Sequence, residues 1–244
     1  LVLMLLVASV NPALAQEKSE ARKFTDPSDP GYEDPIAMYD PWEGFNRAMY
    51  KFNYGFDKYF FVPVADTYRF ILPQVVRTGI ANFFDNLYEI GNVFNNLLQG
   101  NAEGTVNSTA RIVFNTTLGL GGILDPATPM GFTKMEEDFG QTLGVWGAGP
   151  GPYLVLPVLG PSSVRDGIGT AVDATVETVW ATFVVDEIYS SASDRDKLYW
   201  GMTGLYYISK RAGIPFRYYG TGSPFEYELV KLLYTTKRQL DIEK

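Results

Sequence analysis

The chain has 244 residues, no His, no Cys and a formal net charge of -8. These counts exclude disulfides, a thiolate or imidazole metal site, a Ser–His triad and a His general base, and the acidic balance argues against nucleic acid, which demands a basic patch. The hydrophobic fraction is 46% and the aromatic fraction 15%, yet no apolar stretch reaches the ~20 residues that would span a bilayer.

Residues 1–10 are a short apolar run, and Ala13 and Ala15 flank Leu14 as an A-x-A cleavage site. Residues 1–15 are therefore expected to be the end of a secretory signal peptide, with the mature chain starting near Gln16 and exported to a periplasm. Residues 16–39 are polar, then rich in Pro, Asp and Gly, and read as a flexible tether. Residues 40–244 are of a length that suits one domain.

Residues 40–53 read DPWEGFNRAMYKFN. Asp40 is placed to cap a helix, Pro41 sits where a missing N–H costs nothing, and Glu43 completes a capping box. Phe45, Met49, Phe52 and Phe56 then recur at helical spacing as an aromatic-rich face. Asn46, Tyr50, Asn53 and Asp57 make a second, polar row. An amphipathic helix packed on an ordinary core has the same spacing. The choice of residues fits better a helix with one face in an apolar medium and the other on something wet, because Asn is a poor helix former.

Val62-Pro63-Val64 breaks the pattern, and a short helix is expected from Ala65 to Ile71. Gly79 to Gln99 is a long helix with Phe83, Phe84, Leu87, Phe94 and Leu97 on a broad apolar side and Asn82, Asn86, Asn92, Asn95 and Asn96 opposite. Gly100 is its C-terminal cap, and a further helix runs from Ala102 to Leu118. Residues 139–161 are both apolar and dense in Gly and Pro, so a helix is not expected there. They are either an irregular segment packed on the helices or a hydrophobic hairpin that moves beside a passage. Helices are expected from Pro161 to Val185 and from Asp194 to Ala212. Ser223 and Glu226 repeat the cap logic for a last helix.

The 40–53 segment resembles the signature of the MlaA (VacJ) family of outer-membrane phospholipid-removal proteins. Three more blocks, in the family's order, agree with it: residues 111–127 (RIVFNTTLGLGGILDPA), 137–146 (EDFGQTLGVW) and 147–157 (GAGPGPYLVLP), running on to Arg165 and Asp166. The resemblance implies a mostly α fold. Its amphipathic helices form a ring or slab lying in the membrane, aromatic faces outward and amides inward, with a Gly/Pro-rich apolar hairpin loop. It also implies a non-enzymatic function. Misplaced phospholipids would leave the outer leaflet through an amphipathic channel and pass to a periplasmic lipid-carrier protein, beside a trimeric outer-membrane porin. No cofactor and no metal is expected. A soluble periplasmic lipid carrier and a structural porin-associated scaffold are the alternatives. Many members of the family carry a lipidated Cys after the signal peptide, and this chain has none.

On this reading Phe45, Met49, Phe139, Leu143, Trp146, Tyr153, Leu154 and Leu156 are the candidates for a lipid channel or gate. Gly144, Gly147, Gly149 and Gly151 are the candidate hinges of the hairpin. Asn46 and Arg165 are candidates for headgroup contact, although Arg165 beside Asp166 at a helix start also fits a structural ion pair.

Overall fold

The computed structural model describes residues 39–188, 192–220 and 222–243. The expected signal peptide and all of the expected tether but Tyr39 lie outside the described residues. Helix α1 (Glu43–Phe56) continues through a π-helical turn (Asp57–Phe61) into α2 (Val62–Ile71). The expected break at Pro63 is therefore absent. The π turn lies just before Pro63, which lacks an N–H and whose ring would clash with the carbonyl of Tyr59 in a regular helix. Helices α3 (Gln74–Gln99) and α4 (Ala102–Thr117) form a hairpin, and α5 (Phe139–Val145) follows a long loop. A two-stranded antiparallel ribbon comes next, β1 (Tyr153–Leu156) and β2 (Gly160–Ser163), with Tyr153 opposite Ser163 and Leu156 opposite Gly160. Helices α6 (Val164–Ile188), α7 (Ala192–Gly213) and α8 (Glu226–Ile242) complete the chain.

The capping box expected at Asp40 does not form. The N-cap is Trp42, without a side-chain hydrogen bond. Asp40 instead accepts from Asn46 Nδ2 at 2.7 Å, from the Tyr227 hydroxyl at 2.6 Å and from Lys231 Nζ at 3.3 Å. A long-range buried ion pair has outcompeted a local cap. A second correction concerns residues 139–161, where the structure has a short helix. Asp138 accepts from the backbone N–H of Gln141 at 2.8 Å and starts it. Gly147, at φ +92, ends it as the left-handed residue of a Schellman turn: its N–H reaches Gly144 O and that of Ala148 reaches Leu143 O, both at 2.9 Å. A third correction is Pro161, which lies in β2, so that α6 starts only at Val164.

Water-soluble proteins bury apolar side chains. Here the faces are inverted. The polar row of α1, Asn46, Tyr50, Asn53 and Asp57, is buried, while Phe45 and Phe52 are exposed. On α3, Asn86, Glu89, Asn92, Asn95 and Asn96 are buried, and Val75 and Leu97 are exposed. Phe70 at 91% and Val75 at 84% exposure are extremes for apolar residues. The expected amides-inward, aromatics-outward arrangement is thus observed. The amides do not, however, line a passage; they are bonded within the protein.

The α3–α4 hairpin shows how such an interior holds. Gly100, at φ +73, ends α3, and Asn101 caps α4 by accepting from Gly104 N at 2.9 Å. Running back from that turn, Asn101 donates to Asn96, Arg111 to Glu89, and Asn86 to Thr116. Arg111 and Glu89 are fully buried. The guanidinium also donates to Thr128 Oγ1 at 3.0 Å, to Phe132 O at 2.7 Å and to Asp125 at 3.3 Å. It therefore holds the 118–132 loop against both helices. The other Glu89 oxygen accepts from Asn92 at 2.8 Å.

The packing closes on itself. β1 lies on α1, α1 leads through α2, α2 packs on α7, α7 on α6, and α6 returns to β1. Among the described residues no helix is long and apolar enough to cross a membrane.

Removing one partner of a buried ion pair costs about 3–5 kcal/mol, whereas an apolar replacement of both is far milder. Arg111→Met is therefore expected to lower the urea midpoint of the detergent-solubilised protein sharply, and Glu89→Met with Arg111→Met to recover most of the loss. Tryptophan fluorescence during the titration checks this.

Candidate functional site

Two regions stand out, the β hairpin and a wall that carries a small cleft. The hairpin is clamped to α1 by two buried amides. Asn46 donates to Tyr153 O at 3.0 Å and accepts from Val155 N at 2.8 Å. Seven residues on, Asn53 donates to Leu156 O at 2.9 Å and accepts from Val158 N at 2.7 Å. Both side chains imitate the donor–acceptor pair of a neighbouring strand. Tyr153 and Val155 face inward and join a buried cluster with Tyr50 and Tyr227, on which Met49 packs. Strand alternation turns Leu154 and Leu156 the other way, where they are half-buried. The ribbon tip, Val158 and Leu159, is exposed.

Behind the hairpin lies a charged knot. Arg238 donates to both oxygens of Asp138 at 2.6 and 2.9 Å and to Asp166 at 2.8 Å. Arg165 donates twice to Asp166, at 3.0 and 2.9 Å, and once to Ala148 O at 3.3 Å. Tyr234 donates to the second Asp166 oxygen at 2.7 Å. Burial alone would raise the Asp166 carboxyl, but the bonds from Arg238 and Tyr234 hold it well below the usual carboxylate range. The knot ties the starts of α5 and α6 to α8.

The candidates from sequence divide accordingly. Phe45 is half-exposed on the outer face of α1. Phe139 and Leu143 are half-buried, and Phe139 meets the Trp146 ring edge-on at 6.0 Å. Trp146 is partly exposed and donates its indole N–H to Leu98 O at 3.0 Å. Gly144 is a point of close approach, since a Cβ there would lie 2.5 Å from Ile242 Cδ1. Gly147, Gly149 and Gly151 stand in the loop between α5 and β1, where Gly147 and Gly149 have open space around them. Asn46 and Arg165 are buried, their polar atoms engaged by the hairpin and the knot.

The wall was not anticipated. Lys134 of the 133–138 segment pairs with Asp85 on α3, Tyr206 of α7 packs on Tyr88 of α3, and α6 packs on both helices. Glu177 and Lys210 are exposed, and the Glu136 side chain is 78% exposed. Burial and the nearby Asp173 push the Glu177 carboxyl up to about 7. Burial would lower Lys210, but Tyr206, Glu136 and Glu177 more than offset it. Tyr88 and Tyr206 pack nearby with their rings tilted by 34°, centroids 4.4 Å apart. A cleft between α3 and α6 runs alongside, lined by Leu87, Tyr88, Phe94, Val176 and Glu177 among others. The available signal in the sequence was the pair Asp173 and Glu177, one helical turn apart among Val172, Val176 and Val179.

Comparison with known proteins finds relatives of this chain. The family model described as MlaA lipoprotein matches residues 38–241. An intermembrane phospholipid transport system lipoprotein MlaA of Escherichia coli (strain K12) is 42% identical over 157 residues, 62% of each chain. An uncharacterized protein of Rickettsia prowazekii is 40% identical over 131 residues, 54% of this chain and 52% of that one. The chain thus spans about half to three-fifths of the length of the curated relatives it matches. A solved structure, described as the structural basis for maintenance of bacterial outer membrane lipid asymmetry, superposes with a TM-score of 0.63 at 31% identity. The superposition covers 84% of this chain and 100% of that one.

Two outcomes follow from the geometry. Asn46→Leu and Asn53→Leu each strip a buried carbonyl and N–H of their partner, at about 1–3 kcal/mol per orphaned group. Amide hydrogen exchange should speed up at Val155 in the first variant and at Val158 in the second, with α4 unchanged. For Glu177, a folded value near 7 against an ordinary 4.5 means that stability falls as pH rises between the two. Glu177→Gln should match the parent near pH 4, diverge through that window and melt at a higher temperature at pH 8.

Proposed function

Because the chain belongs to the MlaA lipoprotein family, we propose that it is the outer-membrane component of a phospholipid transport system. In this reading it takes misplaced phospholipids from the outer leaflet through an amphipathic channel and hands them to a periplasmic lipid-carrier protein, beside a trimeric porin, so that lipid asymmetry is maintained. The observation that carries the reading is the inversion of faces. Apolar side chains of α1, α2, α3 and α4 point out of the protein, and amides and ion pairs are held inside. Such a surface is unstable in water and at rest among acyl chains. Membrane attachment is placed on these outer faces, with the helices lying along one leaflet.

A small cleft between α3 and α6 supports the channel reading. It sets Tyr88 and the Asp173 and Glu177 carboxylates beside Leu87, Phe94 and Val176, polar and apolar groups on one wall, as a molecule with a polar head and apolar tails requires. The hairpin is the candidate gate. Its exposed tip at Val158 and Leu159, with Leu154, Leu156 and Trp146 behind, presents an apolar edge. Gly147, Gly149 and Gly151 supply the flexible approach. Lipid would move through by binding and release, with no covalent step.

Purification in mild detergent followed by mass spectrometry of co-purified lipid tests the reading. Phospholipid is expected in the parent protein and less of it in Trp146→Glu. Removal of detergent should aggregate the protein. A chain that is lipid-free and monodisperse without detergent would overturn the proposal in favour of a soluble domain.

A further inference from the structure

The end of the α3–α4 hairpin opposite the Gly100 turn carries a loop that is apolar throughout. From Ile112 to Leu124 the chain has no charged residue. Leu118, Leu120, Ile123 and Leu124 are all exposed, Leu120 most of all at 69%. An exposed loop commonly leaves its backbone groups to water. Here they are turned inward. The N–H groups of Leu118 and Gly119 donate to Phe114 O at 2.9 and 3.1 Å, that of Gly121 to Thr116 O at 3.0 Å, that of Gly122 to Asn115 O at 2.8 Å and that of Leu124 to Gly119 O at 2.9 Å. The Ile123 carbonyl accepts from Asn82 Nδ2 at 3.1 Å, and the Thr117 hydroxyl donates to Val113 O at 2.6 Å. The fold of the loop is also tight. A Cβ on Gly119 would collide with Asn115 O and Leu124 O, and one on Gly79 of α3 would stand 3.0 Å from Ile123 Cγ2. Leu120 has φ +56, a conformation that Gly or Asn holds with less strain. Its side chain, being mostly exposed, gains little from the protein itself in return. Val75 and Val76, one turn before Gly79, extend the exposed apolar surface onto α3.

Hydrocarbon makes three demands of an irregular segment: backbone groups that need no water, apolar side chains held outward, and no charge. This loop meets them. Resting on the membrane placement above, we propose that residues 118–124, with Val75 and Val76, form a rigid knob that sits in the acyl-chain layer of the leaflet. Arg111, which ties Asp125 and Thr128 to α3 through Glu89, fixes the base of the knob, so that it enters as a preformed body. Arg77 is the only charged residue between Arg69 and Asp85. Its Nε donates to Leu72 O at 3.1 Å, and its remaining donors reach lipid phosphate at the edge of the layer. A protein partner is specified by hydrogen bonds as well as apolar contact, and this loop has spent most of its donors on itself.

The chain has no Cys, so a single introduced one carries a label at a known place. The full chain bearing Leu118→Cys, Leu120→Cys, Phe52→Cys or Lys237→Cys is spin-labelled and reconstituted into vesicles of phosphatidylethanolamine and phosphatidylglycerol. Collisions of each label are measured with oxygen, which concentrates in hydrocarbon, and with a nickel chelate, which stays in water. Lys237 is exposed on α8, and its label should favour the chelate. Labels at Leu118 and Leu120 should favour oxygen, their oxygen-to-chelate ratio exceeding that at Lys237 several-fold. Leu118 has an ordinary φ of -87, tolerates replacement best and decides should the two loop labels differ. Phe52, on the outer face of α1, reports the membrane placement itself. Oxygen favoured at Phe52 but the chelate at Leu118 would overturn the knob and leave that placement intact. A Leu118 label reached by neither collider would set the loop against a second copy of the chain, which overturns the knob equally. The chelate favoured at Phe52 and Leu118 alike would overturn the membrane placement and the knob with it.

Discussion

The buried pair of Glu89 and Arg111 is the interaction on which most of this architecture depends. In a surround of acyl chains, apolar side chains gain nothing by turning inward, since lipid is as apolar as any protein core. Cohesion must then come from polar groups that find partners only within the protein. Arg111 is suited to that task because its planar fork offers five donors in fixed directions. Here the donors reach one carboxylate on α3, another at Asp125, a hydroxyl and a backbone carbonyl. One side chain thereby organises two helices and the loop that follows them. The knot of Arg238, Asp138, Asp166 and Arg165 repeats the principle at the other side of the chain, and Asp57 with Arg211, at 2.5 and 2.8 Å, repeats it between the π turn and α7.

This design explains what could be read in the sequence. The rows of Asn on α1 and α3 were visible as an unusual companion to aromatic rows, and the inference of inverted faces needed only helical periodicity. Gly100 as the end of α3 was equally local. The failures were long-range. Asp40 looked like a helix cap because a cap depends on the next three residues. Besides Asn46, its actual partners are Tyr227 and Lys231, which come from the far end of the chain. The helix at 139–145 was hidden because Gly140 and Gly144 are poor helix formers on their own. They are tolerated because α6 and α8 pack so closely that larger residues would collide: a Cβ on Gly140 would meet Asp166 Oδ1 at 2.7 Å.

The candidate site was legible in a similar, partial way. Residues 139–161 were marked by being apolar and rich in glycine at once, and the structure places a hairpin in that stretch. Its attachment was not legible, because one Asn looks like another until the strand it bonds is known. The wall of Glu177, Lys210 and the paired tyrosines was missed altogether. Its members come from helices separated by long stretches of chain, and each by itself reads as an ordinary polar residue on an amphipathic helix.

The two clamps on the hairpin fix more than its position. Seven residues along a helix and three along a strand both advance about 10 Å. Asn46 and Asn53 therefore meet the ribbon at two points that match it in step, one near its root and one near its turn. Four directional bonds at two points forbid the ribbon to slide along α1 or to lift away from it. The burial of Tyr153 and Val155 among Tyr50 and Tyr227 resists its rolling as well. The ribbon and α1 therefore move as one body.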